Sequence, residues 1–297
     1  MNNLAVIAYF KDEAHILNEW IAHHLSFGIE YFYLIDNSSS DGFRDVLNQY
    51  SGKFTLIDGQ CITQLEAYKK AYHIARSSHK WIALIDLDEF LYVTNEDKSI
   101  PGLLNALDSK VKAACIYWKI FLPTQMYQPQ SVIQSSTRIC REDSVSMRPF
   151  KSIFRTSLDV ENLSIHCPRG LTEDEKKVFL PTDSSLQLNH YRFQSYEYLL
   201  GVKAQRGGGV NKSKYKGDDS FDLLKRYFSI ESEYSYELLN MSQAIIEKIE
   251  RDEQIRPSVD VYSSIYWKTL VNRAPDFDNL SYLELFKKVF ENEKGEL

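Results

Sequence analysis

Trp81-Ile-Ala-Leu-Ile-Asp86-Leu-Asp88-Glu89-Phe90-Leu-Tyr92 is the stretch from which the rest of the chain can be read. Its apolar first half has the length and composition of a buried strand. That strand delivers two carboxylates one residue apart, with a third just beyond. Side chains alternate along a strand, so the spacing predicts that Asp86 and Asp88 point the same way. Two converging carboxylates repel each other unless a cation sits between them. Oxygen donors of this kind suit Mg²⁺ or Mn²⁺ rather than a thiolate-loving metal. The carboxyl ends of strands are also where open α/β sheets place their ligands.

Working backwards from this run, the apolar periodicity alternates between strand and helix. Leu4–Phe10 reads as a buried strand. Asp12 can cap the helix that carries Ile16, Trp20, Ile21 and Leu25, and Gly28 stands where a helix-ending glycine belongs. Tyr31–Ile35 is a second strand, closed by the turn-rich segment Asp36-Asn-Ser-Ser-Ser-Asp41-Gly42. Residues 43–50 read as a helix, 54–57 as a strand, 63–78 as a helix and 81–85 as the fourth strand. Strands and helices alternating on short loops imply a parallel, doubly wound sheet. After Phe90 the pattern weakens. Strand-like segments recur at 112–121, within 131–154 and at 186–193, and helical ones at 221–228, 236–250 and 282–291.

Composition narrows the class. At 297 residues and 43% hydrophobic, the chain can bury a full core. A formal net charge of -6 argues against a nucleic-acid binder, which needs a basic footprint. The cysteines Cys61, Cys115, Cys140 and Cys167 have no paired ligand spacing and read as reduced thiols. No apolar run reaches the ~18 residues of a membrane span. The N-terminus turns charged at once, without a basic leader or cleavage site, which predicts a soluble, cytoplasmic chain. One composition shift stands out. Lys203, Arg206, Lys212, Lys214 and Lys216 surround Gly207-Gly208-Gly209, a basic loop expected to end the first domain.

Four features bear on chemistry. Asp36 closes the second strand, where a carboxylate can accept hydrogen bonds from a base or ribose. Asp86 and Asp88 are the metal candidates. His190, in Leu188-Asn-His-Tyr-Arg192, ends a strand candidate and can offer an imidazole to the same ion. Lys203 and Arg206 can close over a diphosphate. A metal on Asp carboxylates with a closing basic loop is the equipment of a nucleotide-sugar transferase. An Asp-x-Asp phosphohydrolase fits less well, because Phe90 stands where that motif needs Thr or Val. A sugar-1-phosphate nucleotidyltransferase needs a Gly- and Arg-containing loop that Lys11-Asp-Glu-Ala14 does not supply. A non-catalytic nucleotide-sugar-binding protein stays open as the alternative.

The ordered blocks Lys11-Asp-Glu13-Ala14, Glu19-Trp20-Ile-Ala-His23-His24, Gly28, Tyr33-Leu-Ile-Asp36 through Gly42 and Trp81–Leu91 resemble the family 2-like and family 92 glycosyltransferases. Trp118, Arg138, Lys151–Arg155, His166, Asn189–Arg192, Ser195, Lys203 and Arg206 follow in the order associated with family 92. The resemblance covers about residues 4–210. It implies a GT-A fold (Rossmann-like, a doubly wound mixed sheet) over 1–215; the helical C-terminal extension expected over 216–297 rests on helical periodicity and has no counterpart in the resemblance. It also implies a metal-dependent, inverting hexosyltransferase using a nucleotide-diphosphate sugar, by analogy UDP-galactose or another UDP-hexose.

Under that resemblance Asp36 reads the nucleotide base and Glu13 borders the nucleotide site, where Asp86, Lys203 and Arg206 also contribute. Asp86, Asp88 and His190 hold Mn²⁺ or Mg²⁺. Asp12 departs from the Asn that the family pattern usually has. Inversion needs a base for the acceptor hydroxyl. Asp143 and Glu142 are the candidates, with Glu89 less favoured. His166 is a further acceptor-side candidate, and Lys151 with Arg155 could meet phosphate or an acidic acceptor. The acceptor implied is a glycan or lipid-linked oligosaccharide in surface polysaccharide synthesis. The basic loop and C-terminal helices would lean on an anionic membrane at its inner face, or the helices would mediate a homodimer.

Overall fold

The computed structural model describes residues 2–60, 62–93, 99–122, 128–129, 131–136, 138–139, 150–180, 185–192, 194–195 and 198. The chain divides into two compact units, Met1–Thr124 with Ser131–Gln194, and Gln125–Gln130 with Ser195–Leu297. In the second, Ser195 Oγ donates to Gln128 Oε1 and accepts the Tyr198 N–H. The expected boundary at 215/216 and the expected C-terminal helices lie outside the described residues, as do Glu142, Asp143, Lys203 and Arg206. No described helix is long and apolar enough to cross a membrane.

The first unit opens with the expected alternation. Strands β1 (Asn2–Phe10), β2 (Tyr31–Asp36), β3 (Phe54–Asp58) and β4 (His79–Leu84) run parallel in the order β3-β2-β1-β4. Helices α1 (Ala14–Ser26), α2 (Phe43–Leu47, continued by a 3₁₀ turn at Asn48–Tyr50) and α3 (Gln64–Ala75) connect them. β1 is buried on both faces, which explains its unbroken apolar run. Leu4, Val6, Ala8 and Phe10 pack into one core with α1, while Ala5 and Ile7 pack into another with Tyr68, Ala71 and Tyr72 of α3.

Helix ends follow local chemistry. Thr63 and Glu66 form a capping box on α3. Gly28 ends α1 at φ +86°, with its N–H on Leu25 O and the Ile29 N–H on His24 O, the paired bonds of a Schellman motif. The expected Asp12 cap is not made. Asp12 sits at φ +51° and its Oδ1 accepts the Ser40 N–H, while Asp41 Oδ2 accepts the Ala14 N–H. The cap therefore comes from a loop far along the chain.

Beyond β4 the sheet is mixed rather than parallel throughout. β5 (Glu89–Val93) follows a turn, and α4 (Ile100–Asn105) leads to the long β6 (Ala113–Leu122). α5 (Val132–Ser135), the short β7 (Arg138–Ile139), β8 (Phe150–Arg155), β9 (Lys176–Phe179) and β10 (Leu186–His190) complete the unit. The order is β3-β2-β1-β4-β8-β6-β10-β5, with β7 and β9 also on β6. β8 is antiparallel to both β4 and β6, and β10 is parallel to β6 and antiparallel to β5. This is a Rossmann-like, doubly wound mixed sheet, the sheet type that the resemblance implies.

Candidate active site

Phe10, Asp36 and Asp58 stand in register across β1, β2 and β3, so Asp36 lies on the carboxyl edge of the parallel strands. β4 pairs Leu84 with Ile7 and then stops, which brings Asp86–Asp88 to the same edge. These acids are not on a strand. They occupy a turn closed by Glu89 N–H on Asp86 O at 3.1 Å, so the alternation that would aim them together does not apply.

Their surroundings differ accordingly. Asp86 Oδ2 takes Lys151 Nζ at 2.8 Å, and its Oδ1 accepts from Tyr68 OH at 3.1 Å and Gln64 Nε2 at 3.2 Å. Asp88 Oδ1 lies 3.3 Å from His190 Nε2, and the Asp88 carbonyl accepts the Tyr191 N–H. Glu89 opposes His190 in the antiparallel register of β5 and β10. One ligand atom each from Asp88, Glu89 and His190 falls within 4.8 Å of the others, and all three residues are buried. The structure thus groups Asp88 and His190 with Glu89, while Asp86 is turned toward Lys151.

Lys151 is the residue whose environment was least legible in advance. On β8 it was expected to face phosphate or an acceptor. It is instead fully buried, bonded to Asp86 and 3.6 Å from Glu89 Oε2. Burial opposes its charge, but Asp86 and Glu89 outweigh that and hold the ammonium above the ordinary lysine range. Arg155, four residues on, stacks over the Trp81 ring at 4.3 Å and donates to Val111 O, away from the acids.

Glu89 is likewise fully buried. Its Oε2 accepts the Asp86 N–H at 2.9 Å, and its Oε1 has no hydrogen-bond partner among the described residues. Burial drives its carboxyl well above the usual carboxylate range, opposed by Lys151 and reinforced by Asp86 and Asp88. An orphaned carboxylate oxygen beside a second carboxylate and an imidazole is what a divalent cation satisfies, so the donor set fits such an ion.

Helix α1 fixes the strand that carries Glu89. One edge of β5 pairs with β10, and side chains take the other. Trp20 Nε1 donates to Glu89 O at 2.9 Å, His23 Nε2 donates to Leu91 O, and the Leu91 N–H donates to His24 Nε2. Glu19 accepts from Ser131 Oγ and from the Val132 and Ile133 N–H groups at the start of α5. The Glu-Trp-x-x-His-His block therefore assembles the site without reaching into it.

The remaining candidates sit around this centre. Asp36 Oδ1 accepts the Ser39 N–H, and Oδ2 lies 3.8 Å from the Arg44 guanidinium. The backbone of Gly59 lies against Asp36, and a Cβ there would meet Ile35 Cγ2 at 2.7 Å. Glu13 is buried at the start of α1, close enough to Asp41 to help raise its carboxyl, after burial itself. Trp118 packs at a tilt against His190, 4.2 Å between ring centroids, and meets His166 edge-on at 6.2 Å. His166 Nδ1 donates to Phe150 O. Gln64 and Tyr68 on α3 carried no sequence signal beyond helical spacing. For Glu89 the signal was present, as the third acid of the Asp-Leu-Asp-Glu run.

The sequence pattern of glycosyltransferase family 92 matches residues 4–252. The chain belongs to glycosyltransferase family 92. The match runs past residue 210, where the motif-based resemblance stops. Family 92 proteins of Ricinus communis and Arabidopsis thaliana are 24% identical over 200 residues and 22% identical over 209 residues. These alignments cover 63% and 66% of this chain but 34% and 36% of the relatives. The chain thus matches about a third of the length of each. Among solved structures, residues 1–349 of S. aureus TarS in complex with UDP are 15% identical, covering 100% of this chain and 92% of that one, with a TM-score of 0.37.

Proposed function

We propose that this family 92 chain is a metal-dependent, inverting glycosyltransferase that moves a hexose from a UDP-sugar to a hydroxyl of a glycan or lipid-linked oligosaccharide. The observation that carries the reading is the buried Asp88–Glu89–His190 set on the sheet edge that also bears Asp36. Asp88, Glu89 and His190 would hold Mn²⁺ or Mg²⁺, which when bound supplies positive charge to a diphosphate leaving group. Two carboxylates with an imidazole favour Mn²⁺ over Mg²⁺.

The chain's own residues take defined parts. Asp36 keeps acceptor capacity beyond its Ser39 bond and reads donor N–H or O–H groups of the uridine. Asp86, oriented by Lys151, Tyr68 and Gln64, is one-third exposed and so remains available to the ribose side of the donor. Glu89 is enclosed and committed to the cation set, which removes it as the base. Asp143 and Glu142 remain the candidates for that role, and Lys203 with Arg206 for closure over the diphosphate.

The test is a sugar-release and transfer assay with UDP-galactose and UDP-glucose, with and without Mn²⁺. Metal-dependent turnover is expected. Asp88→Asn is expected to lower it at least a hundredfold with an unchanged circular dichroism spectrum. Turnover that persists in EDTA, or is unchanged in Asp88→Asn, overturns the reading.

A further inference from the structure

Two thiols lie against each other beside β6. Cys115 Sγ and Cys167 Sγ are 3.5 Å apart, although 52 residues separate them. Cys115 is buried on β6, opposite Ser152 of β8 and Val178 of β9. Cys167 is only partly buried, on the segment that links β8 to β9. That segment is already held in place. Ser164 Oγ donates to Cys167 O, the Cys167 N–H returns to Ser164 Oγ, and Ser152 Oγ donates to His166 O.

We propose that Cys115 and Cys167 are a reversible disulfide-forming pair, oxidised by thiol–disulfide exchange with a low-molecular-weight disulfide. The sulfurs need to close by roughly 1.5 Å to reach a bond of about 2.05 Å, a movement the Cys167 segment can make from its partly exposed side. The residues differ in a way that sets the order of events. The thiol of Cys167 is lowered by its contact with Cys115, whereas that of Cys115 is raised by the same contact and by burial. Cys167, lower and more accessible, is the attacking thiolate.

It displaces one thiolate from the external disulfide, giving a mixed disulfide on Cys167. Cys115 then loses its proton, attacks Cys167 Sγ and expels the second external thiolate. Two protein thiols are oxidised and one external disulfide is reduced to two thiols, so no further oxidant is needed. The bond would staple the His166–Cys167 segment to β6, the strand that also carries Trp118 beside His190. The inference is independent of the sugar-transfer reading.

The test uses the full chain with Cys61 and Cys140 replaced by Ser, exposed to oxidised glutathione under native conditions. Intact mass is expected to fall by two hydrogens, and peptide mapping to join the Cys115 and Cys167 peptides, both reversed by dithiothreitol. In Cys115→Ser a stable glutathione adduct on Cys167 is expected to accumulate. In Cys167→Ser, Cys115 is expected to remain free. Because Ser at 115 faces the core, Cys167→Ser serves as the variant whose melting temperature should stay close to that of the parent. A chain that carries a lasting adduct on Cys167 with Cys115 free, or does not react while folded, overturns the proposal.

Discussion

A lysine ammonium with 1% side-chain exposure carries a desolvation cost of several kcal/mol, and at Lys151 the neighbouring Asp86 and Glu89 offset it. Replacing the lysine leaves Asp86 and the buried Glu89 without their counter-charge. Lys151→Met is expected to lose about 3–5 kcal/mol in urea unfolding. Adding Glu89→Gln, which removes one of the stranded charges, is expected to recover part of that loss; an undiminished loss in the double variant would show that packing dominates. His24 gives a second residue-scale test. Its Nε2 accepts from the Leu91 N–H, so its proton is on Nδ1, facing Trp20 O. Burial, then His23, hold it well below the ordinary histidine range. The folded state thus resists a proton that the unfolded chain takes up below about pH 6.5, and stability falls as pH drops through that value. Urea midpoints at about pH 7.5 and 5.5 check this, and His24→Gln should narrow the difference by up to about 1.4 kcal/mol per pH unit below 6.5. Single residues were unevenly legible in the sequence. The acidic run marked candidate cation ligands by composition alone. Its partition into Asp88 with Glu89 and Asp86 with Lys151 depends on where β4 ends and how β8 and β10 pair, which no local pattern encodes.

At the scale of elements, α1 seals the edge of β5 that no described strand covers. An unpaired strand edge must find donors and acceptors elsewhere, and Trp20, His23 and His24 provide them. Trp20→Phe keeps an aromatic ring but removes the indole N–H and so strands the Glu89 carbonyl. A stability loss of roughly 1–3 kcal/mol and a weaker Mn²⁺ response are expected; a normal metal response would show that β10 alone positions Glu89. The far end of the same helix depends on Gly28, whose positive φ and nearby Ser99 and Pro101 side chains leave no comfortable place for a Cβ. Gly28→Ala is expected to cost about 1–3 kcal/mol, measured by thermal or urea unfolding. The first four strands and three helices were readable because buried parallel strands and amphipathic helices leave strong periodic patterns. β8 was not placeable in the same way. It enters the sheet between β4 and β6 although both precede it, and strand order beyond neighbours is set by tertiary packing.

For the whole molecule, the curled sheet brings acids from β2, the turn after β4 and β5, together with the histidine of β10, to one edge in a chain of net charge -6. An edge lined with acids gains little from a diphosphate alone and much from a diphosphate with its cation. Nucleotide and metal should therefore bind cooperatively rather than separately. The direct test is thermal unfolding of the full chain with UDP alone, Mn²⁺ alone, and both. Together they are expected to raise the melting temperature clearly, with stabilisation near 2.7 kcal/mol when ligand stands about a hundredfold above its Kd, and Asp88→Asn is expected to abolish the rise. Equal stabilisation by UDP with and without Mn²⁺, or none with both, would contradict a metal-held nucleotide at this edge.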